Sequence, residues 1–237
     1  MNLQEITDRI SFSYARLRHA LATMHRKSGW LAHHGMQRSG TNFLRECLAL
    51  CDMRIINAFD PARSNPRHKH CRWYTDKAAI PPFLAAQYGN TLVADSIHAV
   101  NAICRYPADT RHIVLHKDAV GAVASLMNFG LRCNWFATKE DALAAGPALL
   151  ADYRNYYGFW EELSARHPDY VQIISYDALV TDSSALRARL ETLGFTLGAL
   201  PDRFVFSEVR VSPTGRSKLV SADDVRAAIP ELRPMPV

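Results

Sequence analysis

The residues best suited to chemistry lie in one short loop, Gly35 to Asn42, with the sequence Gly-Met-Gln-Arg-Ser-Gly-Thr-Asn. Glycine allows a tight turn in which successive backbone N–H groups face one anion. A helix predicted from about Thr41 to Cys51 adds the positive end of its dipole. Ser39 offers a hydroxyl donor, and Arg38 offers a fork of donors that matches phosphate or sulfate oxygens. The loop is therefore predicted to bind an anion.

The spacing in this loop differs from that of the ordinary nucleotide-hydrolase loop. That loop follows Gly-x-x-x-x-Gly-Lys-Ser/Thr, in which the lysine reaches the phosphates and the hydroxyl holds magnesium. Gly35 and Gly40 have the required interval, but Thr41 stands at the lysine position and the cation is Arg38. The sequence therefore favours an anionic ligand whose reactive group is transferred without a metal ion.

Arg38-Ser39-Gly40-Thr41 after a strand resembles the 5′-phosphosulfate loop of the PAPS-dependent sulfotransferase family, usually Pro-Lys/Arg-Ser-Gly-Thr-Thr. Gln37 replaces the proline, and Asn42 replaces the second threonine while keeping the capacity to bond a sulfate oxygen. The resemblance implies that residues 37–42 bind 3′-phosphoadenosine 5′-phosphosulfate (PAPS) as co-substrate. It also implies transfer of the sulfuryl group to an acceptor hydroxyl.

A second motif of that family binds the 3′-phosphate of the nucleotide. It consists of a strand, then Arg-Asp-Pro, then a helix with a serine eight positions after the arginine. Here Lys117-Asp118-Ala119 follows the predicted strand His112–His116, and Ser125 comes eight positions after Lys117. Lysine keeps the charge of arginine but loses its bidentate fork. The resemblance implies that Lys117 and Ser125 meet at one phosphate.

Two further segments are similar to nucleotide-binding parts of the family. Tyr176 follows the predicted strand Tyr170–Ser175, as a tyrosine near the adenine does in the family, and it could stack on the base. A late basic loop contains Gly215, Arg216 and Lys218. It corresponds loosely to the family's loop over the 3′-phosphate, with a plain solvated loop as the alternative.

Sulfuryl transfer needs an oxygen nucleophile in line with the sulfur, a base for its proton, and positive charge at the departing bridging oxygen. The resemblance assigns that charge to Arg38. In many members of that family a histidine between the two phosphate motifs is the base, and Glu or Asp serves in others. The resemblance therefore makes His98 the best positional candidate and Asp95 the second. A histidine that is neutral near pH 7 suits this task.

Residues 57–75 are predicted to form an ordered, polar surface loop, and the resemblance implies that it lies on the acceptor side. Its basic and aromatic residues are Arg63, Arg67, His68, Lys69, His70, Arg72 and Trp73. Such charges suit an anionic or carbohydrate acceptor, and Trp73 would offer a face to a sugar ring. The expected partner is therefore a hydroxyl-bearing acceptor such as a carbohydrate or glycan, and a solvated basic loop is the alternative. His68 and His70 lack further ligands that would complete a metal site.

The composition limits the class of protein. Charged residues make up 22% and hydrophobic residues 48%, a globular balance, and no apolar run is long enough for a membrane span. Residues 1–28 carry charges throughout, so we expect no signal peptide but a helix over 3–26, which leaves open a peripheral membrane or partner contact. Five cysteines without metal spacing indicate buried thiols and a cytoplasmic protein.

Strands alternating with helices predict an α/β fold: a three-layer α/β/α domain over residues 1–237 with a mostly parallel central sheet, like that of P-loop nucleotide hydrolases. The carboxyl ends of such strands form one ligand-binding edge. The Gly35 loop, Lys117 and Tyr176 each follow a predicted strand and should meet there. The strand before the loop is predicted over Trp30–His34. Helices are predicted over 142–166 and 183–193, the second with Ser183 as its N-cap.

Two other functions remain open. A P-loop kinase or other nucleotide-binding protein would require magnesium and ATP, which the missing Gly-Lys-Ser/Thr disfavours. The net charge of +5 also fits a binding protein for nucleic acid or a membrane surface. No RNA-binding or helix-turn-helix pattern supports nucleic acid as the partner.

Overall fold

The computed structural model describes residues 29–51, 53–60, 65–74, 92–204 and 219–232. Three sequence predictions lie outside these residues: the helix over 3–26, Arg63 of the acceptor-side segment, and the basic loop with Gly215, Arg216 and Lys218.

Parallel strands form the centre of the molecule. The strands in the described ranges are β1 (Trp30–His34), β2 (Arg54–Ile55), β3 (Trp73–Tyr74), β4 (Leu92–Val93), β5 (Arg111–His116) and β6 (Val171–Ser175). Four of them form an all-parallel sheet in the order β2–β1–β5–β6, and β3 pairs with β4 in a separate parallel ribbon. The chain moves outward from β1 to β2 and, on the other side, from β5 to β6. The strand order therefore reverses between β1 and β5, and ligands of such sheets bind at the carboxyl ends beside that point.

Helices cover both faces of this sheet. They are α1 (Thr41–Leu50), α2 (Ile97–Cys104), α3 (Ala119–Arg132), α4 (Lys139–Ala144), α5 (Gly146–Arg166), α6 (Tyr176–Thr181), α7 (Ser183–Thr192) and α8 (Ala222–Ala228), followed by a 3₁₀ turn at Pro230–Leu232. Alternate strand residues face opposite layers: Leu31 and Ile113 pack with α1 and α7, whereas Ala32 and Val114 pack with α3 and α5. The prediction of an α/β fold with a parallel sheet is thus confirmed.

The chain departs from the predicted elements at two helix boundaries. The single helix predicted over 142–166 is two helices, since α4 ends at Ala144 and α5 restarts at Gly146 with Pro147 in its first turn. Proline lacks the N–H that a continuous helix would need there. Asp182, rather than the predicted Ser183, caps α7 by accepting a bond from the Ser184 N–H.

The acceptor-side segment is also less exposed than its polarity suggests. Trp73 is fully buried and stacks on Phe159 at 6.1 Å, so it cannot offer a face to a sugar ring. Arg72 is buried as well and forms an ion pair of 2.9 Å with Asp152 of α5. A buried carboxylate supplied from far along the chain is what turns this basic stretch inward.

No helix within the described ranges is long and apolar enough to cross a membrane. All five cysteines are free thiols. Cys47, Cys51, Cys71 and Cys104 are buried as expected, but Cys133 is exposed at the end of α3.

Candidate functional site

The carboxyl edge of the sheet collects the three segments that the sequence predicted to lie there. The Gly35 loop leaves β1, Lys117 leaves β5 and Tyr176 leaves β6. Since β1, β5 and β6 are consecutive parallel neighbours, these segments lie side by side. The edge therefore forms one surface on which a ligand can extend from the loop toward Lys117.

The backbone of the loop turns through two left-handed residues. Arg38 has a φ of 69° and Gly40 a φ of 98°. Gly40 also precedes α1, and no side chain caps that helix end. The first N–H groups of α1 consequently have no side-chain acceptor, which suits them to an anion.

The loop requires glycine at positions 35 and 40. A Cβ atom at Gly40 would lie 2.6 Å from the Tyr176 ring, and one at Gly35 would lie 2.7 Å from both Ser39 Oγ and Thr41 Cγ2. Tyr176 therefore packs directly against the loop. The expectation that Tyr176 lies beside the nucleotide segment agrees with this position.

The small polar side chains of the loop serve partly to shape it. Ser39 is buried, and its hydroxyl donates to the Met36 carbonyl at 2.8 Å. Gln37 and Thr41 are buried too. Both the N–H and the hydroxyl of Ser39 donate to the Met36 carbonyl, so in this conformation Ser39 holds the turn.

Arg38 is the exposed cation of the loop. Among the described residues no carboxylate forms an ion pair with it. Partial burial lowers the pKa of Arg38, and the nearby Arg132 adds to that effect. Two guanidinium groups close to one turn create a positive potential that an anion would relieve.

Lys117 and Ser125 meet at the end of β5. Lys117 Nζ donates to Ser125 Oγ at 2.9 Å. Asp118 caps α3 by accepting from the Gly121 N–H at 2.7 Å, which fixes where the helix begins. The eight-residue interval thus brings a cation and a hydroxyl together next to the loop.

Two residues of the acceptor-side segment, Lys69 and His70, contact the loop directly. The Gly35 N–H donates to the Lys69 carbonyl at 3.1 Å, and His70 Nδ1 lies 2.8 Å from the Gly35 carbonyl. His70 Nε2 lies 3.5 Å from Thr41 Oγ1, and Lys69 Nζ donates to Asn42 Oδ1. Burial and the neighbouring Arg45 lower the pKa of Lys69 to about 8.

The contacts of His70 favour its neutral form and fix which ring nitrogen carries the proton. A carbonyl oxygen can only accept, so Nδ1 carries a proton and Nε2 keeps its lone pair when the ring is neutral. Burial, followed by the charge of Lys69, lowers the pKa of His70 well below its ordinary value. A neutral imidazole whose Nε2 lone pair faces the Thr41 hydroxyl can accept a proton beside the loop, as a general base does.

His98 and Asp95 lie at the other edge of the sheet. The His98 ring is 6.4 Å from His167 and 6.1 Å from Tyr170, which precede β6, and the Asp95 carbonyl accepts from Arg166 at the end of α5. The start of β6 is about one strand length, roughly 17–20 Å, from the carboxyl edge. The structure therefore does not bring these two candidates to the loop.

A cleft of about 480 Å³ also opens at that amino edge. It is lined by Gly29, Asp109, Arg111, Leu193, Gly194, Phe195 and Thr196. It contains none of the residues that the sequence predicted for the site. The loop and Lys117 form the better candidate because ligands of parallel sheets bind at the carboxyl edge.

Comparison with models of known protein families finds no matching family, and comparison with curated protein sequences finds no match. Function must therefore be inferred from the geometry of the carboxyl edge.

Sequence reasoning missed the positions of Lys69 and His70. Both belong to the stretch predicted to contact the acceptor, yet neither was a candidate for the base or for the nucleotide site. The adjacent cation and imidazole were a visible signal. Their contact with Gly35 depends on a backbone hydrogen bond between residues 34 positions apart, which no local pattern specifies.

Proposed function

We propose that this protein is a sulfotransferase that moves the sulfuryl group of PAPS to an acceptor hydroxyl. The observation that carries the proposal is the position of two groups of anion-binding donors at the ends of adjoining strands. One is the Gly35–Asn42 loop with the uncapped start of α1, and the other is the Lys117–Ser125 pair. A nucleotide with a phosphosulfate at one end and a 3′-phosphate at the other matches two such sites.

The residues present fit this co-substrate. The backbone N–H groups of the loop and Arg38 would hold the 5′-phosphosulfate, and Lys117 with Ser125 would hold the 3′-phosphate. Tyr176, packed against Gly40, would lie beside the adenosine. The same loop resembles the sulfotransferase family in Arg38-Ser39-Gly40-Thr41, and this resemblance supports the finer assignment to a P-loop-like fold.

In the proposed reaction the acceptor oxygen forms a bond to sulfur while the bond from sulfur to the bridging oxygen breaks. His70 Nε2 takes the proton of the acceptor hydroxyl and later releases it to solvent. The bridging oxygen leaves as part of 3′,5′-adenosine bisphosphate, and Arg38 and Lys69 stabilise its negative charge. His70 replaces His98 as our choice of base because it lies beside Thr41 at 3.5 Å.

Ligand-induced thermal stabilisation tests the co-substrate. We expect 3′,5′-adenosine bisphosphate to raise the melting temperature in the presence of EDTA, more than 5′-AMP does. Stabilisation by ATP with magnesium and none by the bisphosphate would instead favour a P-loop kinase and would refute the proposal.

Turnover assays test the roles proposed for Arg38 and His70. With radiolabelled PAPS and a panel of hydroxyl-bearing acceptors, including sugars and glycans, Arg38→Ala should lose about 10²-fold or more in kcat, as loss of an oxyanion-stabilising donor does. His70→Gln should lose rate while bisphosphate binding is retained. His98→Gln is the matched control at the amino edge, and a loss confined to His98→Gln would return the role of base to that residue.

A further inference from the structure

Two tyrosines of α5 bond the backbone at the end of β5, beside the loop. Tyr153 and Tyr157 lie one helical turn apart, with ring centroids 4.8 Å from each other. Their hydroxyls donate to the carbonyls of Lys117 and Leu115. Neither tyrosine belongs to the motifs by which the sequence indicates a nucleotide site.

The Tyr157 hydroxyl holds the carbonyl beside which the loop begins. It is buried and donates to the Leu115 carbonyl at 2.9 Å. That carbonyl lies against Gly35, since a Cβ atom at Gly35 would be 3.1 Å from it. Tyr157 therefore fixes the part of β5 on which the first residue of the loop packs.

The Tyr153 hydroxyl fixes the backbone at Lys117. It donates to the Lys117 carbonyl at 2.8 Å and lies 2.6 Å from His116 Nε2. A tyrosine has one hydrogen, and the carbonyl takes it, so His116 Nε2 donates to the Tyr153 oxygen. This orients His116 and the peptide from which the Lys117 side chain starts.

We propose that Tyr153 and Tyr157 are positioning residues that hold the loop and Lys117 at the separation a doubly anionic nucleotide requires. The inference rests on the proposed function. Neither phenol needs to touch the nucleotide. Because α5 is a single helix of 21 residues packed on the sheet, it provides a rigid reference for both segments.

The test compares two ligands that differ only in whether they use both sites. Binding of 3′,5′-adenosine bisphosphate and of 5′-AMP is measured by calorimetry with EDTA for wild type, Tyr153→Phe, Tyr157→Phe and the double variant. Loss of each hydroxyl bond should weaken the bisphosphate by about five- to tenfold. The affinity for 5′-AMP should change much less, so the ratio between the two ligands falls.

Tyr156→Phe is the matched control. Tyr156 lies on the same helix and is fully buried, but its ring faces Arg72 at 5.2 Å and its hydroxyl bonds neither anion site. This variant should keep the wild-type ratio. If the double variant fails to fold, the two single variants still give the comparison.

The outcomes separate the two proposals. A wild-type protein that does not prefer the bisphosphate would refute the proposed function and this inference with it. A wild-type preference that Tyr153→Phe and Tyr157→Phe retain in full, or an equal loss of both ligands, would refute only the role of the tyrosines. A reduced ratio with an unaffected Tyr156→Phe supports positioning.

Discussion

A chain of buried histidines predicts that the fold loses stability in mild acid. Asn101 Nδ2 donates to the Ala108 and Thr110 carbonyls, so its Oδ1 accepts from His112 Nε2 at 2.9 Å. His112 Nδ1 must then accept from His34 Nε2 at 3.0 Å. Each ring is neutral, and neither can gain a proton without burying a charge.

The size of the effect follows from the pKa shifts. Burial lowers the pKa of His112 from 6.5 to about 3 and lowers those of His33, His34 and His70 well below 6.5. The unfolded chain therefore binds protons that the folded chain does not, and stability falls as the pH falls below 6.5. At pH 5.5 each of these four histidines costs roughly 1 kcal/mol or slightly more, about 5 kcal/mol in all. Small proteins have a total stability of about 5–15 kcal/mol.

Urea denaturation followed by tryptophan fluorescence at several pH values between 5.5 and 8 measures this loss. The slope of the free energy of unfolding against pH should be small near pH 7.5, and below pH 6 it should approach the uptake of four protons. His112→Gln should remove about one proton from that slope. His98→Gln, which changes an exposed imidazole, is the control. A wild-type slope below one proton would refute the reasoning.

The remaining predictions concern the site and its support. Gly40→Ala should weaken bisphosphate binding and destabilise the fold by about 1–2 kcal/mol or more, because alanine disfavours the left-handed backbone and its Cβ would meet Tyr176; binding and urea titrations check this. Binding of the bisphosphate should take up protons at pH 8.5, because a bound anion raises the lowered pKa of Lys69. The affinity for the bisphosphate should therefore fall above about pH 8. Calorimetry in two buffers should show the proton uptake in wild type but not in Lys69→Gln. Asp152→Asn should cost about 3–5 kcal/mol in urea denaturation because it removes a buried partner of Arg72, and a loss below 1 kcal/mol would contradict that estimate.

Local patterns were sufficient to predict the sheet and its ligand-binding edge. β1 has the bounds predicted for it, Trp30–His34, and β5 differs from its prediction by one residue. Strand-to-helix alternation was enough to place the Gly35 loop and Lys117 at the same edge. These features depend on residues close together in sequence, where periodicity and turn chemistry act.

Contacts between distant segments could not be predicted in this way. Nothing local distinguishes Trp73, which is buried, from an exposed aromatic residue of a basic loop. His98 was chosen by its position between two motifs, but α2 begins at the amino edge of the sheet, so sequence order did not match position in space. His70 reaches the loop because its backbone neighbour pairs with Gly35.

Gly35 is hydrogen-bonded twice by residues 69–70: its N–H donates to the Lys69 carbonyl, and its own carbonyl accepts from His70 Nδ1. The loop and residues 69–70 consequently hold each other in place, although they are far apart in sequence. Grafting the loop alone into another scaffold would leave the N–H and the carbonyl of Gly35 without these two hydrogen-bond partners. A transplant, or a chimaera with a different acceptor side, should therefore exchange residues 35–42 and 69–74 together.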